Sequence, residues 1–188
     1  RQVLGNPATL TTILTTSDTL TLSYVDMGVN PSVRYQYAVG ASNSFAQIVS
    51  GYANVTTPEA PPQGVAAPVL VAVNSSQVQV AWAPPTQPNG VIVSYELLRT
   101  GGGVANLSVY MGLGLNVTDR GLAPYTSYTY TLQACTLLGC SFGLGTSVVT
   151  DEAPPTGVGV PALVSLSSTV IGISWSPPSS PNGVVEYM

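Results

Sequence analysis

The residues with chemistry to offer in this 188-residue chain are two cysteines, eight carboxylates and a set of asparagines that precede Ser or Thr by two positions. Cys135 and Cys140 are four residues apart internally, whereas redox and metal motifs favour a C-x-x-C spacing with further ligands. The carboxylates Asp18, Asp26, Glu59, Glu96, Asp119, Asp151, Glu152 and Glu186 are scattered along the chain. Asp26 and Asp119 are 93 residues apart, and so are Glu59 and Glu152. A catalytic acid and base form one constellation and do not recur at a fixed interval, so these groups are read as turn and linker chemistry. A calcium site fed by Asp151 and Glu152 would fall short of the six to eight oxygens that calcium takes. With no histidine and no phosphate-cradling glycine loop before a helix, the chain is expected to be no enzyme and to need neither cofactor nor metal.

Asn54, Asn74, Asn106 and Asn116 each open an Asn-x-Ser/Thr triplet, the acceptor of N-linked glycans; Asn30 is excluded because proline follows it. Charge is scarce. Charged residues make up 6% of the chain, against roughly 25% on average. All positive charge is arginine, and the formal net charge is −4. That balance excludes nucleic acid, which needs clustered Lys and Arg to release counterions, and an anionic membrane surface for the same reason. Ser and Thr make up about a fifth of the residues. Glycans on at least two of these four asparagines are expected to supply the solubility that charge does not, which places the chain outside the cell. No run approaches the ~18 apolar residues of a membrane span, so no direct membrane insertion is expected. The chain begins and stops in mid-pattern, as a window from a longer polypeptide would.

The elements that position these residues are strands. Tyr128, Tyr130, Leu132 and Ala134 alternate with Thr129, Thr131, Gln133 and Cys135, so one face of an extended segment seeks a core. Val78, Val80 and Trp82 alternate in the same way. Pro84-Pro85-Thr86-Gln87-Pro88-Asn89-Gly90 is a turn, and a strand is expected from Val91 to Arg99. Shorter strands are expected over 107–110 and 113–117, and in the first part of the chain over 19–25, 35–41 and 53–56. Trp82 and Trp175, Asn89 and Asn182, Pro61 and Pro154, and Tyr35 and Tyr128 are each 93 residues apart. A period of that size is a whole small domain in tandem. Short strands without a helical stretch indicate an all-β sandwich.

Leu122-Ala123-Pro124-Tyr125-Thr126-Ser127-Tyr128, the tryptophan of a second strand, Pro-Asn-Gly before a third, Tyr95 and the Ala-Pro-Pro linker together resemble tandem fibronectin type III modules, immunoglobulin-like β-sandwiches, over the full chain. The phrase around Cys135 and Cys140 is most similar to modules of usherin-like multi-module extracellular proteins. The resemblance implies the rear part of a module over 1–58, a complete module over 59–151 and the front part of another over 152–188. It implies a core of Trp82, Tyr95, Leu122 and Tyr128, with Tyr35 and Trp175 as equivalents in the neighbouring copies. Tyr128 becomes the corner tyrosine, bonded to backbone just upstream. Cys135 and Cys140 fall at the end of strand F and the start of strand G, where cross-strand neighbours are close enough for a disulfide. Ser42 and Gln47 take their places in the first copy. Leu137 and Leu138 at the hairpin tip, with Phe142 and Leu144 beside it, form either an interaction surface or a face covered by the next module. The expected function is a structural or spacer segment of a long secreted, glycosylated array. Its partners would be other copies or modules of the same protein, or extracellular proteins, and its covalent glycans. The alternatives are a recognition module of an adhesion receptor and a spacer beside a carbohydrate-active enzyme.

Overall fold

The computed structural model describes residues 1–6, 9–18, 20 and 22–187, and its regular elements are all strands. In chain order they are β1 (Gln2–Val3), β2 (Arg34–Tyr37), β3 (Gly40–Ser42), β4 (Gln47–Val49), β5 (Ala53–Thr56), β6 (Val69–Asn74), β7 (Gln77–Ala81), β8 (Ser94–Gly101), β9 (Val104–Gly112), β10 (Asn116–Arg120), β11 (Ser127–Thr136), β12 (Gly139–Phe142), β13 (Thr146–Val149), β14 (Ala162–Ser167) and β15 (Val170–Ser174).

In the centre, β10-β7-β6 form one antiparallel sheet and β12-β11-β8-β9 the other, with β13 also paired to β11. The period-2 pattern decides which faces meet. Along β11 every second residue from Tyr128 to Thr136 is buried, and along β7 Val78 and Val80 are buried while Gln79 faces out. Val78, Val80, Trp82, Tyr95, Leu97, Leu122, Tyr128, Tyr130, Leu132 and Ala134 close into one core. Trp82 lies between Tyr95, at a ring distance of 6.1 Å, and Tyr110, at 5.4 Å, both tilted as aromatic quadrupoles prefer. Burying each large side chain of this set is worth about 1.5–3 kcal/mol. Leu122 covers the bottom of the core, and the next amide, Ala123 N–H, donates to the Tyr128 hydroxyl at 2.9 Å.

On either side the sheets are smaller. β1-β2-β5 bury Tyr35, and β3 and β4 form a separate two-stranded ribbon. Among the described residues β14 and β15 pair with each other, and Trp175, expected in a core, is 57% exposed with its ring 5.8 Å from that of Tyr187. A tryptophan needs a facing sheet to be buried, and β14-β15 have none.

Several expected strands move. The strand expected at Val91 begins at Ser94, because the Val91 N–H is taken by the Glu59 carboxylate. The segments expected at 107–110 and 113–117 are β9 over Val104–Gly112 and β10 over Asn116–Arg120. The expected strand at 35–41 is broken between Tyr37 and Gly40. Thr19 and Thr21 lie outside the described residues, and 22–25 form no strand. Asn74 is the last residue of β6, and its Oδ1 accepts the Ser76 N–H at 2.9 Å to start the turn.

Candidate functional site at the joints and the hairpin tip

Two kinds of place gather the residues singled out above: the joints between copies, and the hairpin from β11 to β12.

The first joint is built from Thr57 onward. Thr57 N–H donates to Val33 O at 3.0 Å, its hydroxyl donates to Asn30 O at 2.7 Å, and Ser32 N–H donates to Pro58 O at 2.9 Å. All three bonds belong to the first copy. At the next residue the allegiance changes. Glu59 Oε1 accepts Val91 N–H at 3.0 Å, Ala60 N–H donates to Asn89 O at 2.9 Å, and Asn89 Nδ2 donates to Pro61 O at 2.9 Å. Gly90 lies so close to Glu59 that a Cβ there would stand 2.6 Å from the carboxyl carbon, so only glycine admits this carboxylate.

The second joint repeats the device. Thr150 N–H donates to Thr126 O at 3.1 Å, and Tyr125 N–H donates to Asp151 O at 3.0 Å. Glu152 Oε1 then accepts Val184 N–H at 3.0 Å, Ala153 N–H donates to Asn182 O at 3.0 Å, and Asn182 Nδ2 donates to Pro154 O at 2.8 Å. Asn89 and Asn182 both sit at φ 55°, the left-handed region that asparagine tolerates better than most residues. Glu59 and Glu152 are thus backbone caps, each carboxylate accepting the amide that follows the Pro-Asn-Gly turn. Among the described residues no group of three or more His, Cys, Asp and Glu comes together.

The hairpin stands beside the first joint. Cys135 and Cys140 are cross-strand partners joined by a disulfide, with Cα atoms 4.0 Å apart. The buried Thr136 hydroxyl donates to Ala60 O at 3.1 Å, tying the hairpin to the linker. Gly139, at φ 149°, abuts Pro61, where an added Cβ would meet the proline ring at 2.8 Å. At the tip Leu137 is 79% and Leu138 59% exposed. Phe142 and Leu144 are exposed as well. The rear part of the preceding copy, residues 1–58, leaves the tip exposed.

A third cluster escaped the sequence reading. Asp119 Oδ2 accepts from Arg99 Nη1 at 2.8 Å and from the Tyr130 hydroxyl at 2.9 Å, and the arginine stacks over the Tyr128 ring at 5.3 Å. Burial, then the Asp119 carboxylate, pushes the Tyr130 hydroxyl well above the usual phenol range. In the first copy Asp26 accepts from Arg1 and from the Tyr37 hydroxyl, each at 2.9 Å, and Arg1 lies over Tyr35. Burial opposes the Asp26 charge, but hydrogen bonds from Gly28 N–H, Tyr37 and Arg1 outweigh it and hold the carboxyl below its ordinary range. Asp26 and Tyr37 keep the 93-residue period, whereas Arg1 and Arg99 are 98 apart. The period of the acid and the tyrosine was visible in the sequence; the five-residue slip hid their arginine. In the second copy the cluster ties the two sheets together, Asp119 of β10 accepting from Arg99 of β8 and Tyr130 of β11.

Of the acceptor asparagines, Asn54 lies on β5, Asn74 ends β6, Asn106 lies in β9 at φ 52° and Asn116 opens β10.

Two sheets closed on a tryptophan, a corner tyrosine and end-to-end joints define an immunoglobulin-like sandwich set in a tandem array. The family model described as "Fibronectin type III domain" matches residues 60–144. The central sandwich is a fibronectin type III domain, and the regular elements of the described residues on either side of it are also β-strands. Human usherin is 37% identical over 175 residues, which is 89% of this chain and 3% of that protein. Rat phosphatidylinositol phosphatase PTPRQ is 29% identical over 87% of the chain and 7% of its own length. The chain therefore spans a small fraction of these relatives, and the matched region is of the non-catalytic fibronectin type III kind. A crystal structure of the rat CD45 extracellular region, domains d3-d4, shares the fold, with a TM-score of 0.63 at 16% identity over 80% of this chain and 82% of that one. The relatives are extracellular or cell-surface proteins, and the chain is of that extracellular, multi-module class. No helix among the described residues is long and apolar enough to cross a membrane.

Proposed function

We propose that the chain is a structural or spacer segment of a long secreted, glycosylated fibronectin type III array, an extracellular fibre, matrix or cell-surface filament. Residues 1–58 serve as the rear part of one module, 59–151 as a complete module and 152–188 as the front part of a further one. The segment works without catalysis. The observation that carries the reading is the change of allegiance at the joints: Pro58 still bonds to the first copy, and Glu59 already bonds to the second. A linker with no free residue between its two sets of bonds, and with φ fixed at Pro58, Pro61 and Pro62, transmits orientation from module to module. Such an array is a stiff rod. Electron microscopy of the intact natural protein is expected to show extended, evenly segmented rods. A flexible string, or these modules attached only to a catalytic domain, would overturn the proposal.

The exposure of Leu137 and Leu138 at a disulfide-pinned tip favours a second reading, in which the tip contacts another copy of the array or an extracellular partner. Sedimentation of the protein against itself tests the homotypic form. Leu137→Ser with Leu138→Ser is expected to abolish self-association, and unchanged association would count against the tip.

A further inference from the structure

The sheet β10-β7-β6 turns its outer face to solvent with almost no charge on it. Register places Val69 opposite Ala81 and Ala81 opposite Asn116; the next outward row is Val71, Gln79 and Thr118. Val69 is 66%, Val71 53% and Val73 50% exposed, so β6 carries an apolar stripe along the border of its sheet. Native sheets protect such borders with Lys, Pro or other charges. The one charge on this face, Arg120, is bonded to Gln77 Oε1 at 2.8 Å, one strand away from the valines. The same face holds two of the four acceptor triplets. Asn116 is exposed and shares the row of Val69. Asn74 closes β6 just beyond Val73, with its Oδ1 taken by Ser76 N–H and its Nδ2 left over.

We infer that Asn116, with Asn74 as a second site, carries an N-linked glycan that lies across this face and shields the Val69–Val71–Val73 stripe from other copies. The inference rests on the reading of the chain as secreted and glycosylated. Two strand spacings, about 10 Å, separate the Asn116 backbone from that of Val69, a span that the first sugars of a glycan cover. In the transfer, a bond forms between the asparagine Nδ2 and the anomeric carbon of a lipid-pyrophosphate-linked oligosaccharide. The bond from that carbon to the pyrophosphate oxygen breaks, the lipid pyrophosphate departs, and Nδ2 gives up one proton. No oxidant or reductant takes part. Placed on an outward row, the sugar supplies the hydration and bulk that Lys supplies elsewhere.

The test begins with peptide mapping of the natural protein, in which a glycan on Asn116 is expected. Asn116→Gln, which keeps an uncharged amide, is then compared with Thr118→Ser, which keeps the acceptor triplet, both secreted from eukaryotic cells. Asn116→Gln should raise the weight-average mass by light scattering roughly twofold or more, and adding Val69→Thr with Val71→Thr should reverse it. Thr118→Ser should match the wild type. Asn116 bare while Asn54 or Asn106 is occupied would overturn the inference and leave the secreted reading standing. All four bare would overturn both. An occupied Asn116 whose loss leaves the protein monodisperse would overturn the shielding role.

Discussion

In the first copy the strand that carries Tyr35 stops at Tyr37, and the hairpin beyond it, β3 with β4, stands apart as a ribbon. In the second copy the equivalent strand β11 runs unbroken from Ser127 to Thr136 and turns straight into β12. The tips are built alike all the same. Ser42 pairs with Gln47 as Cys135 pairs with Cys140. The Asn43 Oδ1 accepts the Phe45 N–H at 2.9 Å where the Thr136 hydroxyl accepts the Leu138 N–H at 3.3 Å. The disulfide is therefore not what sets the register. Within the given sequence the neighbours differ in extent: β8 pairs with β11 from Ser94 to Gly101, while β1, matched to the end of β8 by the equivalence of Arg1 and Arg99, opens the sequence and pairs with β2 at Gln2 and Val3. Valine 93 positions before Leu132 shows the consequence, since Val39 is 74% exposed and Leu132 fully buried. A continuous strand F is a property of the sheet around it rather than of its own alternation.

Truncating the equivalent pair should separate the hairpins most. Leu132→Ala is expected to cost about 3–4 kcal/mol in denaturant unfolding, from lost burial and the cavity left behind. Val39→Ala should cost less than about 0.5 kcal/mol. Similar losses at both sites would erase the distinction drawn between the copies.

Exchanging the cross-strand pair should do less. Cys135→Ser with Cys140→Gln, the residues of the first hairpin, is expected to cost about 2 kcal/mol, the loop-entropy value for so short a ring. Amide chemical shifts along β11 and β12 should keep the native register. A register change would make the disulfide, rather than β8, the organiser of the hairpin.

The smallest effect is a pH dependence. Because Asp26 is held below the ordinary carboxylate pKa, its contribution is complete above about pH 4 and is lost as pH falls through the lower folded value. Tyr130 is shifted upward, so its contribution is complete below the ordinary phenol pKa of about 10 and declines above it. Hydrogen-exchange protection, taken relative to the intrinsic rate at each pH, should therefore fall in β2 on acidification and in β11 at high pH. An acid-insensitive β2 would remove the Arg1–Asp26–Tyr37 cluster as a source of stability.

The pattern from Tyr128 to Ala134 and the sequence around Trp82 made the two facing sheets legible, because period-2 alternation reports directly on burial. The same alternation ran too far at 35–41, where β2 ends at Tyr37 and Val39, though its carbonyl accepts the Ser50 N–H at 2.9 Å, lies between β2 and β3. At the joints the sequence showed recurring Glu59 and Glu152 and the Pro-Asn-Gly turns, but not that each glutamate reaches the amide after the glycine. That contact joins residues 32 positions apart, beyond the reach of any local pattern.

The central claim is that neighbouring modules are held at one fixed orientation by the Glu59, Ala60 and Asn89 bonds. Spin labels on cysteines introduced at the exposed Arg34 and Gln79, one in each copy, measure it directly by pulsed electron paramagnetic resonance with the native disulfide kept oxidised. A single narrow distance distribution that broadens on Glu59→Ala with Asn89→Ala is the expected result. A broad distribution in the unmodified joint would contradict it.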